Sequence, residues 1–314
     1  MTQKSKPAAF EADARLGMEE CTDLFVLHRP HEGVPANPVI YDSPHSGRCY
    51  PAEFVRETAL PLSGLRASED FAVDLLFMAA PSAGSHLLAA QRPRAWLDLN
   101  RAPDELSAEM FDGAAPEWAR TDGERARAGL GVIPRIISED REIYARRLSW
   151  REARQRIDAA WKPYHARLRA LLEETRARFG AAILIDCHSM PESAAKAMTP
   201  LSLRQPDIIL GDVNGASCDP LLTDTLHRLF ADAGLNVRRN RVYTGGYITR
   251  RYGLESFGAH AIQIEINRRL YTRPGDYRLT EAFFDLQKII TGVIHALPKL
   301  LTPLWRKRPP LAAE

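Results

Sequence analysis

Residues 182–191 read Ala182-Ile183-Leu184-Ile185-Asp186-Cys187-His188-Ser189-Met190-Pro191. The continuous apolar run Ile183-Leu184-Ile185 is the pattern of a strand buried on both faces, and the polar residues come only at its C-terminal edge. In open α/β sheets ligands sit outside the carboxyl ends of the strands. His188, leaving such a strand beside Asp186, is therefore placed to hold a metal or move a proton. From this stretch alone, a histidine that merely caps the strand and bonds to Asp186 reads equally well.

Immediately upstream, Ser149 to Phe179 carries Ile157, Trp161, Tyr164, Leu168, Leu171 and Leu172 at helical spacing, and Gly180 stands where a C-cap glycine belongs. Pro163 is expected to bend this helix, and His165 on it reads as packing or surface. A helix feeding directly into a buried strand is the unit of a parallel α/β sheet. Further upstream, Val39-Ile40-Tyr41 makes a brief strand that enters Asp42-Ser43-Pro44-His45-Ser46-Gly47-Arg48. His45 thus also sits just past a strand end, and two histidines in equivalent positions suggest one site. Ala67 to Ala80 reads as a helix with Ser68 as N-cap and Glu69 and Asp70 in its first turn, where acids suit the helix dipole. Ser85 to Ala90 reads as a strand. Ala95 to Arg101 alternates, with Trp96, Asp98 and Asn100 on one side and Leu97, Leu99 and Arg101 on the other. Ala102 to Gly131, rich in Pro, Gly, Ala, Asp and Glu, reads as a long loop or lid.

Downstream, Pro206 to Gly215 holds another short apolar run, Asp219 to Ala233 a helix and Val237 to Val242 a strand. Thr244 to Gly253 reads as a glycine-hinged polar loop with adjacent Arg250 and Arg251. No GxGxxG or Walker fingerprint is present, which disfavours nucleotide binding. Ala261 to Asn267 alternates strictly, so Gln263, Glu265 and Asn267 share a face. If that face is covered, Glu265 needs a metal or a positive cluster as partner.

The 314 residues include 42 Lys+Arg and 40 Asp+Glu for a net charge of +2, with no long block of one sign. This balance argues against nucleic acid or an anionic membrane as partner and points to a small ligand. Cys21, Cys49, Cys187 and Cys218 show no CxxC pairing and read as reduced cytosolic thiols. The first 20 residues lack the apolar core of a signal peptide, and no stretch approaches the about 18 apolar residues of a membrane span. A soluble cytoplasmic protein is expected, with a loose lead-in over 1–20, a single catalytic α/β domain over 21–305 and a polar tail over 306–314.

Two histidines, an early carboxylate and a late strand carboxylate fit a mononuclear zinc hydrolase, although no HExxH or Cys-rich zinc motif is present. The segments DSPHSG, SEDF, LDLNR, WKPYH, LIDCHSMP, PDIILGDVNGASC, GGYITRRYG and IQIEINRRLY, in this order, make the chain more specific than that. From about Val39 to Tyr271 it resembles the N-formylglutamate amidohydrolase (N-formylglutamate deformylase) family, which is similar to the zinc carboxypeptidase and aspartoacylase group. The resemblance implies a three-layer α/β/α fold with a mixed, mostly parallel central sheet. It implies His45 and His188 as zinc ligands, with Asp70, the aspartate before the aromatic residue, as the third and Glu69 as the alternative; position 48, where carboxypeptidases carry a glutamate, is Arg48. It further implies one zinc, or another divalent ion, per chain. Glu265 matches the general base, Asn100 and Arg101 the substrate-binding pair, and an arginine, Arg101 foremost, the group that stabilises the oxyanion. Gly246, Tyr247, Arg250 and Arg251 are implied as further substrate contacts. The implied reaction is hydrolysis of N-formyl-L-glutamate to formate and L-glutamate, by a monomer or small homo-oligomer. The rival readings are a hydrolase of another N-acyl amino acid, a non-catalytic metabolite-binding protein on the same fold, and a cysteine hydrolase using Cys187, which adjacency to His188 on a strand disfavours.

Overall fold

In the computed structural model, which describes residues 23–137, 141–200, 202–254, 257–273, 275 and 277–305, the expected buried strand is the centre of the sheet. The expected lead-in over 1–20, Cys21 and the tail over 306–314 lie outside the described residues. The strands are β1 (Phe25–His28), β2 (Val39–Ser43), β3 (His86–Ala90), β4 (Ile136–Ile137), β5 (Arg141–Glu142), β6 (Ile183–Met190), β7 (Ile208–Gly211), β8 (Val237–Arg239) and β9 (His260–Asn267). Seven of them form one sheet in the order β1-β3-β2-β6-β9-β7-β8, while β4 and β5 pair separately. The run β3-β2-β6-β9 is parallel throughout; β1 joins it antiparallel on one side and β7 on the other, with β8 parallel to β7. This is a mixed, mostly parallel sheet.

Helices cover both faces, because successive strand residues point to opposite sides. Those used below are α1 (Val73–Leu76), α2 (Trp150–Arg156), α3 (Lys162–Phe179), α4 (Pro220–Asp232), α5 (Tyr247–Tyr252) and α6 (Glu281–Leu300). Ile183, Ile185 and Cys187 pack into one core with Leu222, Leu226 and Phe230 of α4 and Ile290 and Ile294 of α6. Leu184 belongs to the other core, with Tyr164, Leu168 and Leu171 of α3. The fold is therefore three-layered, α/β/α. No helix among the described residues is long and apolar enough to cross a membrane.

The long helix expected over 149–179 is present with one modification. Ser149 and Glu152 form a capping box that starts α2, and Gly180, at φ 79°, closes α3 in the left-handed conformation. Between them Ile157–Trp161 forms a π-helical turn directly before Pro163, which cannot donate to the carbonyl four residues back. The helix expected over 67–80 shrinks to α1. Ser68 does not cap it; its hydroxyl donates to the Leu65 carbonyl, and Ala72 takes φ 57°, which interrupts any helix through it. Residues 95–101 form turns in place of a strand, with Leu97 N and Trp96 N both returning to the Pro93 carbonyl. The polar loop over 244–253 contains α5. Cys187 and Cys218 are free and buried, whereas Cys49 is disulfide-bonded, correcting the expectation of reduced thiols at that position. Pairing depends on Cα separation in the fold, which sequence spacing does not report.

His165 is buried and packed beside α5. Its Nε2 donates to the Leu99 carbonyl at 2.8 Å, its Nδ1 lies 3.0 Å from the Tyr252 hydroxyl, and its ring stacks on Trp161. Burial pushes the imidazole down to about 4. Because the folded pKa is depressed, the unfolded chain binds the extra proton between roughly pH 6.5 and 4, so stability is full above that window and falls within it. The loss at the acid end is about 3 kcal/mol. His165→Gln, which keeps a donor for Leu99, is expected to flatten this part of the pH dependence in denaturant titrations; identical slopes in both proteins would show that His165 is not its source.

Candidate active site

Register brings the chemistry to the carboxyl ends of three adjacent parallel strands. Asp42 of β2 lies beside Asp186 of β6, and His188 of β6 lies beside Glu265 of β9. His45 follows two residues after β2 ends. Since Leu184, Asp186 and His188 alternate with the core residues of β6, and Gln263 and Glu265 with Ile262, Ile264 and Ile266 of β9, all four polar groups emerge on the α3 side. Asp70 arrives from a different segment. Its N–H donates to the His45 carbonyl at 3.1 Å, so the turn that replaces the expected helix start is tied to the histidine it serves.

The three groups converge. Asp70 Oδ2 lies 2.9 Å from His188 Nδ1 and 3.4 Å from His45 Nδ1, and the imidazole centroids are 4.7 Å apart. On their far sides the rings meet carboxylates: His45 Nε2 is 2.6 Å from Asp98 Oδ1, and His188 Nε2 is 2.5 Å from Asp186 Oδ1. A ring that donates Nε2–H to a carboxylate keeps the Nδ1 lone pair for a cation and is fixed in orientation. His45 Nδ1, Asp70 Oδ1 and Glu265 Oε2 are buried with no hydrogen-bond partner. Such orphaned acceptors are costly unless something satisfies them. One ligand atom from each of His45, Asp70 and His188 lies within 4.8 Å of the others, and these residues could hold a metal ion. Two imidazole nitrogens and a carboxylate oxygen are the donor chemistry of a divalent ion with an open position.

Glu69 stands apart from this cluster. Its buried carboxylate accepts from the Tyr50 hydroxyl at 2.7 Å and Arg66 Nε at 3.0 Å. Glu265 is at the site; Gln263 Nε2 donates to its Oε1 at 2.7 Å. Burial pushes the Glu265 carboxyl up to about 8, with His188 opposing the rise and Asp70 adding to it. Beneath the histidines Asp42 is also held well above the usual carboxylate range, by burial first and then by the neighbouring Asp186.

A cavity of about 670 Å³ opens over this cluster. Of the residues read as substrate contacts, Asn100, Arg101, Gly246, Tyr247 and Arg250 line it; Arg251 does not, being exposed beside the Tyr252 ring. Asn100 is already engaged, its Nδ2 3.3 Å from Asp186 Oδ2 and its Oδ1 accepting from Ile248 N at 2.7 Å. Gly246 is required beside it, since a Cβ there would meet the Asn100 amide at 2.4 Å. Arg101 donates from Nε and Nη1 to the Leu130 and Asn100 carbonyls. The stretch 102–131, mostly loop but with short helical turns at Ala108–Met110 and Glu124–Arg127, contributes Glu105, Arg120, Glu124, Arg125 and Leu130 to the wall and is anchored by buried Leu106, Met110 and Phe111. Cys187 faces the opposite core, fully buried, and burial pushes its thiol up, which removes it as a nucleophile here.

Sequence reasoning missed Arg94 and Arg268 and gave Asp98 and Gln263 no role, although all four line the cavity. Gln263 was findable from its two-residue offset to Glu265. Arg94 lies one helical turn before Asp98 in sequence and bonds its Oδ2 at 2.7 Å, a weak cue at best.

The sequence profile of the N-formylglutamate amidohydrolase family matches residues 37–272. The chain is 30% identical to the N-formylglutamate deformylase of Pseudomonas putida, over 77% of this chain and 85% of that one. It is also 30% identical to the N-formylglutamate deformylase of Pseudomonas aeruginosa, over 86% of this chain and 95% of that one. The crystal structure of N-formylglutamate amidohydrolase from Ralstonia eutropha JMP134 superposes with a TM-score of 0.82 at 35% identity, covering 89% of this chain and 99% of that chain. With the ordered motifs, the fold and the His-Asp-His cluster in place, the chain belongs to the N-formylglutamate amidohydrolase family.

Proposed function

We propose that this protein is a zinc-dependent amidohydrolase that cleaves N-formyl-L-glutamate to formate and L-glutamate. The observation that carries the reading is the convergence of His45 Nδ1, His188 and Asp70 beside the unpartnered Glu265 Oε2, in a cavity lined by arginines. The relatives' names supply the substrate. His45, Asp70 and His188 would hold the zinc, which would supply Lewis-acid polarisation of the formyl carbonyl and lower the pKa of bound water to roughly 7.

Glu265 takes a proton from the attacking water at Oε2 while Gln263 holds its other oxygen in place. As the C–N bond breaks, Glu265 returns that proton to the departing nitrogen, so one carboxyl serves as base and then as acid. Arg101 has Nε and Nη1 fixed on main-chain carbonyls, and its Nη2 is assigned to the charge that develops on the formyl oxygen. Arg250, exposed at the rim with Tyr247, is assigned to the substrate's α-carboxylate. Asn100 positions Asp186 and the start of α5.

The purified protein is expected to carry about one zinc per chain and to release formate from N-formyl-L-glutamate. Chelation should abolish the activity and zinc should restore it. Undiminished formate release by metal-free protein would refute the metal, and a zinc-loaded protein inert on this substrate would refute the substrate.

A further inference from the structure

Resting on that reading, we propose that Arg268 is the specificity-determining residue that receives the side-chain carboxylate of the substrate and so selects dicarboxylic over neutral N-formyl amino acids. Six arginines line the cavity: Arg94, Arg101, Arg120, Arg125, Arg250 and Arg268. Four of them are engaged within the protein. Arg94 pairs with Asp98, Arg120 with Asp104, Arg101 bonds main-chain carbonyls, and exposed Arg250 reaches Thr244 Oγ1. Among these six, Arg268 is the one whose Nε is buried with no hydrogen-bond partner.

Its placement is fixed by the fold. Arg268 directly follows β9, three residues after Glu265, and Asn267 before it is in register with Met190 of β6. Its Nη1 donates to the Ala67 carbonyl at 3.2 Å, which anchors the fork. Ala67, Ser68, His188, Ser189 and Pro191 line the same cavity. A guanidinium held at Nη1 with an unpaired Nε offers one edge in the geometry that takes a carboxylate through two parallel N–H bonds. A buried donor left empty is costly, and an anionic group of the ligand removes that cost.

The chemistry predicts a selective effect. N-formyl-L-glutamine matches N-formyl-L-glutamate in size and in its α-carboxylate, and differs only in carrying a neutral carboxamide in place of the side-chain carboxylate. Arg268→Met should lower kcat/KM for N-formyl-L-glutamate roughly 10²-fold, as loss of charge-assisted bonds implies, while changing the glutamine substrate by less than about threefold. Arg268→Lys, which keeps charge and stem, should fall between wild type and Met on the glutamate substrate, and it serves if the Met variant does not fold. Arg250→Met should weaken both substrates alike, since both carry the α-carboxylate. Equal loss on both substrates in the Arg268 variants would overturn the assignment and mark a general electrostatic role; unchanged kcat/KM on both substrates would overturn it outright. Failure of the wild type on N-formyl-L-glutamate would instead refute the proposed function.

Discussion

Glu265→Gln is expected to lower kcat for formate release by roughly 10²- to 10⁴-fold, the usual worth of a positioned acid-base group, with zinc content unchanged. The geometry makes this substitution clean. Gln263 Nε2 donates to Glu265 Oε1 at 2.7 Å, and the amide oxygen of a glutamine can accept the same bond. Glu265 belongs to none of the three groups that could hold the metal, so the ion's donors stay intact. What disappears is the proton acceptor at Oε2, the buried atom with no partner in the structure. The fold should tolerate the change, because a neutral amide avoids the desolvation that pushes the carboxyl up to about 8. Single-turnover formate release, metal analysis and a thermal melt together separate the outcomes. Full turnover in the variant would show that another group takes the proton, and loss of zinc would move Glu265 among the ligands.

The parts of this site that could be read from sequence are those that obey strand periodicity. His188 and His45 come where short apolar runs end, and the two-residue repeat alone puts Gln263 and Glu265 on one face. The helix expected over 67–80 failed because its start is governed by a long-range bond. Asp70 N donates to the His45 carbonyl, a contact that local propensity does not register. Residues 95–101 failed for the same reason: their alternation imitates a strand, but Asp98 N is taken by the Val132 carbonyl and Asn100 N by the Asp98 side chain, so the backbone never enters the sheet. Both faces of that imagined strand, Asp98 and Asn100 on one and Arg101 on the other, therefore reach the same cavity. Arg268 lies just past a strand inside the segment IQIEINRRLY, where adjacent Arg269 shares its unpaired Nε; of the two, only Arg268 lines the cavity.

The adjacent pair Glu69 and Asp70 offers a sharp test of the proposed metal centre, because both are buried carboxylates and only Asp70 faces the histidines. Asp70→Ala should lower zinc affinity by more than the roughly 10- to 100-fold that loss of an outer hydrogen-bond partner costs, and formate release should fall with it. Glu69→Gln should keep stoichiometric zinc. Its effect belongs to stability, since Glu69 accepts from Tyr50 and pairs with Arg66 at 3.0 Å, and weakening those charge-assisted bonds costs about 1.5–3 kcal/mol. The two variants thus separate two readouts, metal titration and denaturant midpoint, that a general disturbance of the segment would move together. If Glu69→Gln lost zinc while Asp70→Ala retained it, the ligand assignment would be reversed. The physical reason to expect otherwise is local: Asp70 is fastened through its own N–H to the backbone of His45, so carboxylate and imidazole move as one unit. Glu69, one residue earlier, points toward the Arg66 guanidinium and is neutralised there.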